Sequence, residues 1–184
     1  KRTAVCCLSS VNLEHYAAWV RDPQFLDDVA EMLDNVLQHF IDHAPSQVAR
    51  AQYSASRERS IGVGALGFHA YLQKNGIAWE SAAARGANLR IFRYIRGKLD
   101  EANRRLGKER GEAPDAKGYG LRFSHVMAIA PNASSSIIMG NTSPSIEPFR
   151  ANAYRQDTLS GAYLNKNKYL DQIIKKYCDE HPRT

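Results

Sequence analysis

The chain has 184 residues, enough for one domain with a substantial core, and its 43% apolar and 24% charged residues are the balance of an ordinary globular protein. No uninterrupted apolar run approaches the roughly 20 residues that span a bilayer, and Lys1-Arg2 leading into a strand-like run does not read as a signal peptide. Three cysteines, two of them adjacent, do not make a secreted disulfide framework and favour a reducing, cytoplasmic setting, while the net charge of +6 suits anionic partners without identifying one.

Arg2 to Leu13 reads as a strand, rich in β-branched and small residues. Cys6 and Cys7 therefore point to opposite faces, and neighbouring residues make a poor disulfide pair. On their own, both read as small core residues. Asp22-Pro23 then opens a helix, with aspartate as cap and proline at the first position. Phe25, Leu26, Val29, Met32, Leu33, Val36, Leu37, Phe40 and Ile41 form its apolar stripe to about His43, and Pro45 ends it. His39 and His43 are spaced to face one metal, but Phe40 stands where a zinc-protease motif has glutamate, so they read as surface or half-buried histidines.

Arg59 to Gly64 reads as a short strand, followed by a helix from about Gly67 to Lys74 that stops at Asn75-Gly76. Gly62-Val63-Gly64-Ala65-Leu66-Gly67 is a literal G-x-G-x-x-G. A dinucleotide site also needs an acidic residue closing the next strand about 20 positions on. Ala87 to Arg90 belongs to a basic helix instead, so the glycines read as close helix-to-strand packing. Ser81 caps that helix, whose apolar positions are Leu89, Phe92, Ile95, Leu99, Ala102 and Leu106. Arg90, Arg93, Arg96, Arg104 and Arg105 populate its other faces. With no aromatic interleaved for base stacking, they read as a solvated face rather than a nucleic-acid surface.

Gly111 to Gly120 is the clearest exposed loop. His125 to Ala130 reads as a strand, Ser145 to Phe149 as another, and Asn165 to Cys178 as a closing helix. Strands alternating with helices predict an α/β fold with parallel pairing. No repeat, low-complexity tract or linker divides the chain, so residues 1–184 are expected to form a single piece.

The stretch from Met127 to Pro148 says most about chemistry. An apolar run stops at Pro131, Asn132 follows, and Ala133, Ser134, Ser135 and Ser136 open a helix with small side chains only. Helix starts carry unpaired N–H groups and partial positive charge, which suit phosphate. An ordinary capped helix after a strand fits the same residues. Glu147 reads as structural, satisfying backbone groups near this turn.

The same run, continuing through Phe149-Arg150-Ala151-Asn152-Ala153-Tyr154 to Thr158-Leu159-Ser160-Gly161, resembles the large, catalytic subunit of class I ribonucleotide reductase. Two further blocks agree in order: Ala4 to Leu13 (AVCCLSSVNL) and Arg57 to His69 (RERSIGVGALGFH). Together they span nearly the whole chain. The resemblance implies roughly the second half of a ten-stranded α/β barrel, parallel strands alternating with helices, as an internal slice of a much longer subunit. Part of a barrel leaves strand edges and apolar faces uncovered.

The activity implied is reduction of ribonucleoside diphosphates to deoxyribonucleoside diphosphates. Cys6 aligns with one member of a redox cysteine pair that delivers two electrons as the ribose 2′-hydroxyl leaves. Cys7 falls on a variable position, and Leu8 on one that contacts substrate. Pro131, Asn132, Ala133, Ser134 and Ser135 align with the loop that holds the substrate diphosphate. Some relatives are acidic where Ala133 stands, so the holding falls to backbone N–H groups and the Ser134 and Ser135 hydroxyls. The second redox cysteine, the radical-forming cysteine and its Asn and Glu partners belong to segments outside this sequence, and Cys178 has no matching context. The resemblance therefore implies no activity for this chain alone.

It implies no cofactor or metal bound by the chain itself. A separate dimetal small subunit supplies the radical, ATP and deoxynucleotide effectors bind elsewhere in the full subunit, and a thioredoxin- or glutaredoxin-type reductant restores the dithiol. Neither membrane nor nucleic acid is an expected partner. Three alternatives remain open: a class II, adenosylcobalamin-dependent relative, a non-catalytic nucleotide- or nucleic-acid-binding module using the basic helix, or the inert product of a broken gene. Asn132-Ala133-Ser134-Ser135, in place of a Thr-Gly-Thr type of turn, favours class I over class II.

Overall fold

A computed structural model describes residues 1–182. Strand β1 (Cys7–Asn12) pairs in parallel with β2 (Ile61–Leu66), Cys7 opposite Ile61 and Asn12 opposite Leu66. The segment predicted as a strand from His125 runs along the other side of β2. There the Ile61 N–H donates to the His125 carbonyl and the Val63 N–H to the Val126 carbonyl, each at 3.0 Å. Val63 and Met127 form the one regular bridge of this pairing among the described residues, so the third strand is shorter than predicted.

Parallel neighbours require long crossovers, and helices supply both. Between β1 and β2 lie α1 (Tyr16–Trp19), α2 (Phe25–His43) and α3 (Ala49–Glu58). Between β2 and the third strand lie α4 (Phe68–Lys74) and α5 (Ala82–Arg110). Helix α2 starts two residues past Pro23, because the Asp22 carboxylate accepts the Gln24 N–H (2.9 Å) in a turn ahead of it. Ser81 caps α5 as expected, accepting the Ala84 N–H at 3.1 Å. Helix α3 has no counterpart in the sequence reading.

The core lies between one face of the sheet and these helices. Val11, Ile61 and Val63 meet Leu26, Leu33 and Leu37 of α2 and Ile91, Ile95, Leu99 and Leu106 of α5, all at most 4% exposed. Each such side chain contributes about 1.5–3 kcal/mol by leaving water. The predicted stripes were too wide: Met32, Val36 and Leu89 are about half exposed, and Ala84, Ala87 and Ile91 carry the buried line of α5 instead. Periodicity gives the direction of a stripe, whereas its width depends on the curvature of the partner surface.

Inside this core Asp34 of α2 is 1% exposed. Its carboxylate accepts hydrogen bonds from Arg59 (2.6 Å), Arg122 (3.0 Å) and Arg110 (3.0 Å), joining α2 to the start of β2 and the end of α5. Asn103 works similarly without charge, accepting the Phe123 N–H at 2.7 Å and donating to the Phe123 carbonyl at 3.1 Å. Asn103→Ala leaves buried backbone groups unpaired and is expected to cost about 1–3 kcal/mol, read from denaturation midpoints. A loss below the scatter of those midpoints would show that water replaces the amide.

The loop after α5 is ordered by Glu112, whose carboxylate accepts the Gly118 and Gly120 N–H groups at 2.5 and 2.9 Å. Past the third strand come α6 (Ala133–Ile138), β3 (Ala153–Thr158), β4 (Gly161–Lys166) and α7 (Lys168–Glu180). Strands β3 and β4 form an antiparallel hairpin, a departure from the parallel alternation predicted. Ser145 to Phe149 is not a strand but a turn crossing the start of α4, where Gly67 N–H donates to the Ser143 carbonyl at 2.8 Å and Ala70 N–H to the Ser143 hydroxyl at 3.1 Å. The closing helix starts at Lys168 rather than Asn165, since Asn165 pairs with Tyr154 in the hairpin and Asn167 caps α7.

Candidate functional site

The face of the sheet away from the core is formed by alternate residues. Leu8 and Ser10 of β1 lie opposite Gly62 and Gly64 of β2, and Cys6 continues their line one step before the strand. A Cβ placed on Gly62 would stand 2.5 Å from Leu8 Cδ2, 2.8 Å from Ala128 Cβ and 3.0 Å from Cys6 Sγ. Cys6 and Leu8, separate in role on the sequence, therefore converge over one glycine. Cys7 points the other way, into the core, so the adjacent thiols lie on opposite faces.

Burial first, then the neighbouring Cys7, pushes the Cys6 thiol pKa up, and burial alone pushes Cys7 up. Both stay protonated at neutral pH.

Helix α6 lies beyond the carboxyl ends of the strands, where open α/β sheets bind ligands. Its placement comes from three contacts. Met139, just past α6, shares a groove of about 460 Å³ with Ser9, Ser10 and Asn12. The Ser143 carbonyl holds the Gly67 N–H. Gly67 has φ +78°, and a Cβ there would come within 2.5 Å of Asn12 Oδ1 and 2.8 Å of Thr142 Oγ1, so only glycine lets this turn close on the strand end.

The first bond of α6 runs from Ser136 N–H to the Asn132 carbonyl (2.8 Å), leaving the N–H groups of Ala133, Ser134 and Ser135 ahead of it. Pro131, Ala133, Ser134 and Ser135 are exposed. Asn132 is buried and its amide donates to the Ala130 carbonyl (2.6 Å), so it shapes the turn instead of facing outward. The Ser136 hydroxyl donates to the Ala133 carbonyl (2.9 Å) and is likewise engaged.

Sequence reasoning missed Arg150, which with Ala133, Ser136 and Gln156 lines a cavity of about 200 Å³ beside α6 and stacks 4.6 Å over the Tyr154 ring. It missed His69 as well, whose only sequence signal was its place in the block from Arg57. The Phe149 N–H donates to His69 Nδ1 at 3.2 Å, and Trp79 and Phe149 pack edge-on to the ring. Burial lowers the His69 pKa. A depressed pKa gives stability that is present above the unfolded value and lost as pH falls through the folded one, so the bond holds at neutral pH and weakens below about pH 6.5. Hydrogen exchange at the Phe149 amide is expected to speed up across that range, and an exchange rate flat apart from the intrinsic pH dependence would contradict it.

The remaining candidates resolve into structure. His39 and His43 stack on each other at 4.2 Å, exposed, with His43 Nδ1 2.9 Å from the His39 carbonyl. Among the described residues no group of three or more His, Cys, Asp or Glu is placed to hold a metal. Glu147 is exposed and takes no hydrogen bond from the turn, contrary to the structural role expected. On α5, Arg105 pairs with Asp27 and Glu31 of α2 (2.6 and 2.9 Å), and Arg96 with Asp100 (2.9 Å), so two of the five arginines on the basic face are neutralised. No helix among the described residues is long and apolar enough to cross a membrane.

The family model for the ribonucleotide reductase barrel domain matches residues 1–117 and 113–183. The chain belongs to that family. It is 58% identical over 175 residues to the ribonucleoside-diphosphate reductase large subunit of Invertebrate iridescent virus 6, covering 95% of this chain and 18% of that protein. The same subunit from Invertebrate iridescent virus 3 is 57% identical over 175 residues, with 95% and 28% covered. Among solved structures, the Actinobacillus ureae class Id ribonucleotide reductase alpha subunit matches with a TM-score of 0.86 and 38% identity, covering 96% of this chain and 32% of that one. The chain thus spans between about a fifth and a third of the length of these relatives. Within the reductase family its fold is a partial α/β barrel.

Proposed function

We propose that the chain is one continuous piece, residues 1–184, of the catalytic barrel of a class I ribonucleotide reductase large subunit, acting on ribonucleoside diphosphates in the cytoplasm. The observation that carries this reading is the convergence of Cys6 and Leu8 over Gly62, on the sheet face turned away from the core. In the reaction two thiols become a disulfide, and the two electrons and two protons they release replace the 2′-hydroxyl by hydrogen and form water. Cys6 is one of these thiols. The other thiol, and the cysteine whose radical takes the 3′-hydrogen, come from chain outside this sequence. A dimetal small subunit supplies that radical, nucleotide effectors bind elsewhere in the subunit, and a thioredoxin- or glutaredoxin-type protein reduces the disulfide.

At the other end of the substrate the N–H groups of Ala133, Ser134 and Ser135 hold the diphosphate, with the two serine hydroxyls as additional donors and Pro131 and Asn132 setting the turn. Ser134→Ala with Ser135→Ala in the complete subunit is expected to raise KM by about tenfold, the loss of one or two charge-assisted hydrogen bonds, with kcat within about twofold. An unchanged KM removes the serines from the site.

The class I assignment is supported by the class Id neighbour, and the module reading is weakened by the ion pairs that occupy the basic helix. The deciding test compares this chain alone with the complete large subunit, each given small subunit, nucleoside diphosphate and dithiol. The complete subunit is expected to form deoxynucleotide and the chain alone none. Turnover by the chain alone, or turnover that needs adenosylcobalamin in place of the small subunit, would overturn the reading.

A further inference from the structure

We infer that Gly62 is a positioning residue for the Cys6 thiol: its missing side chain makes a hollow that seats Leu8 and sets the height of the sulfur above the sheet. This deepens the reductase reading and rests on it.

The space where a Cβ would stand is contested from three sides, by Leu8 Cδ2 at 2.5 Å, Ala128 Cβ at 2.8 Å and Cys6 Sγ at 3.0 Å. Ala128 belongs to the third strand, and its N–H donates to the Val63 carbonyl at 3.4 Å, so that wall is part of the sheet. Leu8 and Cys6 are side chains on an otherwise open face, Leu8 being 53% exposed. An added methyl would therefore move those two and not the wall. The Leu8 side chain folds into the hollow instead of standing off the strand, which leaves the face above it clear for a ligand. Cys6 is exposed as a residue, but its sulfur is backed by the same hollow, and burial on that side is the first cause of its raised pKa. Gly64, one pleat further on, is closed off by the Ala128 carbonyl, 2.3 Å from where its Cβ would stand, so the bare floor continues toward Ser10. Of the three glycines in the fingerprint-like spacing, Gly62 serves the cysteine above it, while Gly64 admits the Ala128 carbonyl and Gly67 the turn at Asn12 and Thr142.

The test uses the complete large subunit with its small subunit. Gly62→Ala is expected to push the sulfur toward solvent, lower its pKa and raise the rate of Cys6 alkylation by iodoacetamide about threefold or more at pH 7.5, as the thiolate fraction grows. Cys6 is read by peptide mass spectrometry. The rate of a single turnover without added reductant, at saturating substrate, is expected to fall about tenfold, because reacting atoms held out of line lose rate steeply. Should Gly62→Ala not fold, Leu8→Ala/Gly62→Ala is compared with Leu8→Ala, since removing Leu8 Cδ2 makes room for the methyl and leaves the Cys6 contact as the difference. Equal Cys6 alkylation rates in that pair, or a Gly62→Ala enzyme with normal alkylation and single-turnover rates, overturn the inference. A Cys6→Ser subunit run beside them separates the two levels: if it sustains turnover, the reading of Cys6 has failed, and if it does not while Gly62→Ala is silent, only the positioning role has.

Discussion

Cys6→Ser in the complete large subunit is expected to abolish sustained deoxynucleotide production, to below about one thousandth of the parent rate with dithiol present, because no disulfide can form when one sulfur is missing and members of one catalytic unit fail together. Serine preserves the size and the strand position, so Leu8 keeps its seat over Gly62 and the fold is not at stake. On the proposed reading α6 holds the diphosphate, so substrate binding is expected to persist, with a Kd within about twofold of the parent, since neither the α6 N–H groups nor the Ser134 and Ser135 hydroxyls change. Cys7→Ser provides the contrast: its sulfur faces the core, so activity should survive and any loss should appear in stability. Equal residual activities for the Cys6→Ser and Cys7→Ser enzymes would refute the assignment of Cys6.

The largest expected effect on stability comes from Asp34. Removing one partner of a buried charge cluster leaves the others unpaired, and Asp34→Ala is expected to cost about 3–5 kcal/mol in chemical denaturation. Arg59, only 5% exposed, would then lie buried beside Arg122 and Arg110 with no carboxylate between them. By contrast Glu31, 36% exposed and paired with Arg105 and Arg110, should cost no more than about 1 kcal/mol on truncation, because water screens its partners. The Asp34 cluster also sets an acid limit. Burial raises the Asp34 pKa, but the hydrogen bonds and charges of Arg59, Arg122 and Arg110 outweigh it and hold the carboxyl below its ordinary value. A lowered folded pKa means that the contribution is complete above the unfolded value of about 4 and is lost as pH falls below it. Stability of the parent should therefore drop between about pH 4 and pH 2 more steeply than that of Asp34→Ala. Parallel pH profiles for the two proteins would rule the cluster out as the cause.

Features coded by neighbouring residues are legible in the sequence. Helix α2 and helix α5 follow from apolar residues at three- and four-residue spacing, Ser81 from its position before that pattern, and the start of α6 from small residues after Pro131. Features that depend on what an element packs against are not legible there. Leu89 fits the period of α5 as well as Ile91 does, and only the position of α2 and the sheet decides which is buried. The β3–β4 hairpin has a Leu159-Ser160 loop with none of the Asn-Gly signals that mark tight hairpins, so its two short strands went unseen. Asp34 lies within an apolar stripe and reads as a tolerated polar residue until Arg59 and Arg122, 25 and 88 positions away, are brought to it.

By itself the sequence determined the family, through three blocks in order across nearly the whole chain, and the helices, through a periodicity that each segment carries internally. It also marked the Pro131–Ser135 turn as a candidate from its own neighbours, and Cys6 and Leu8 through the family resemblance. Tertiary structure alone decided that Cys6 and Leu8 meet over Gly62, that Asn132 and Ser136 turn inward while Ser134 and Ser135 stay exposed, and that a carboxylate can be buried at Asp34. The reason is physical. A hollow, a sheet face or a neutralised charge is a relation between residues far apart in the chain, and it exists only once parallel pairing has set their register.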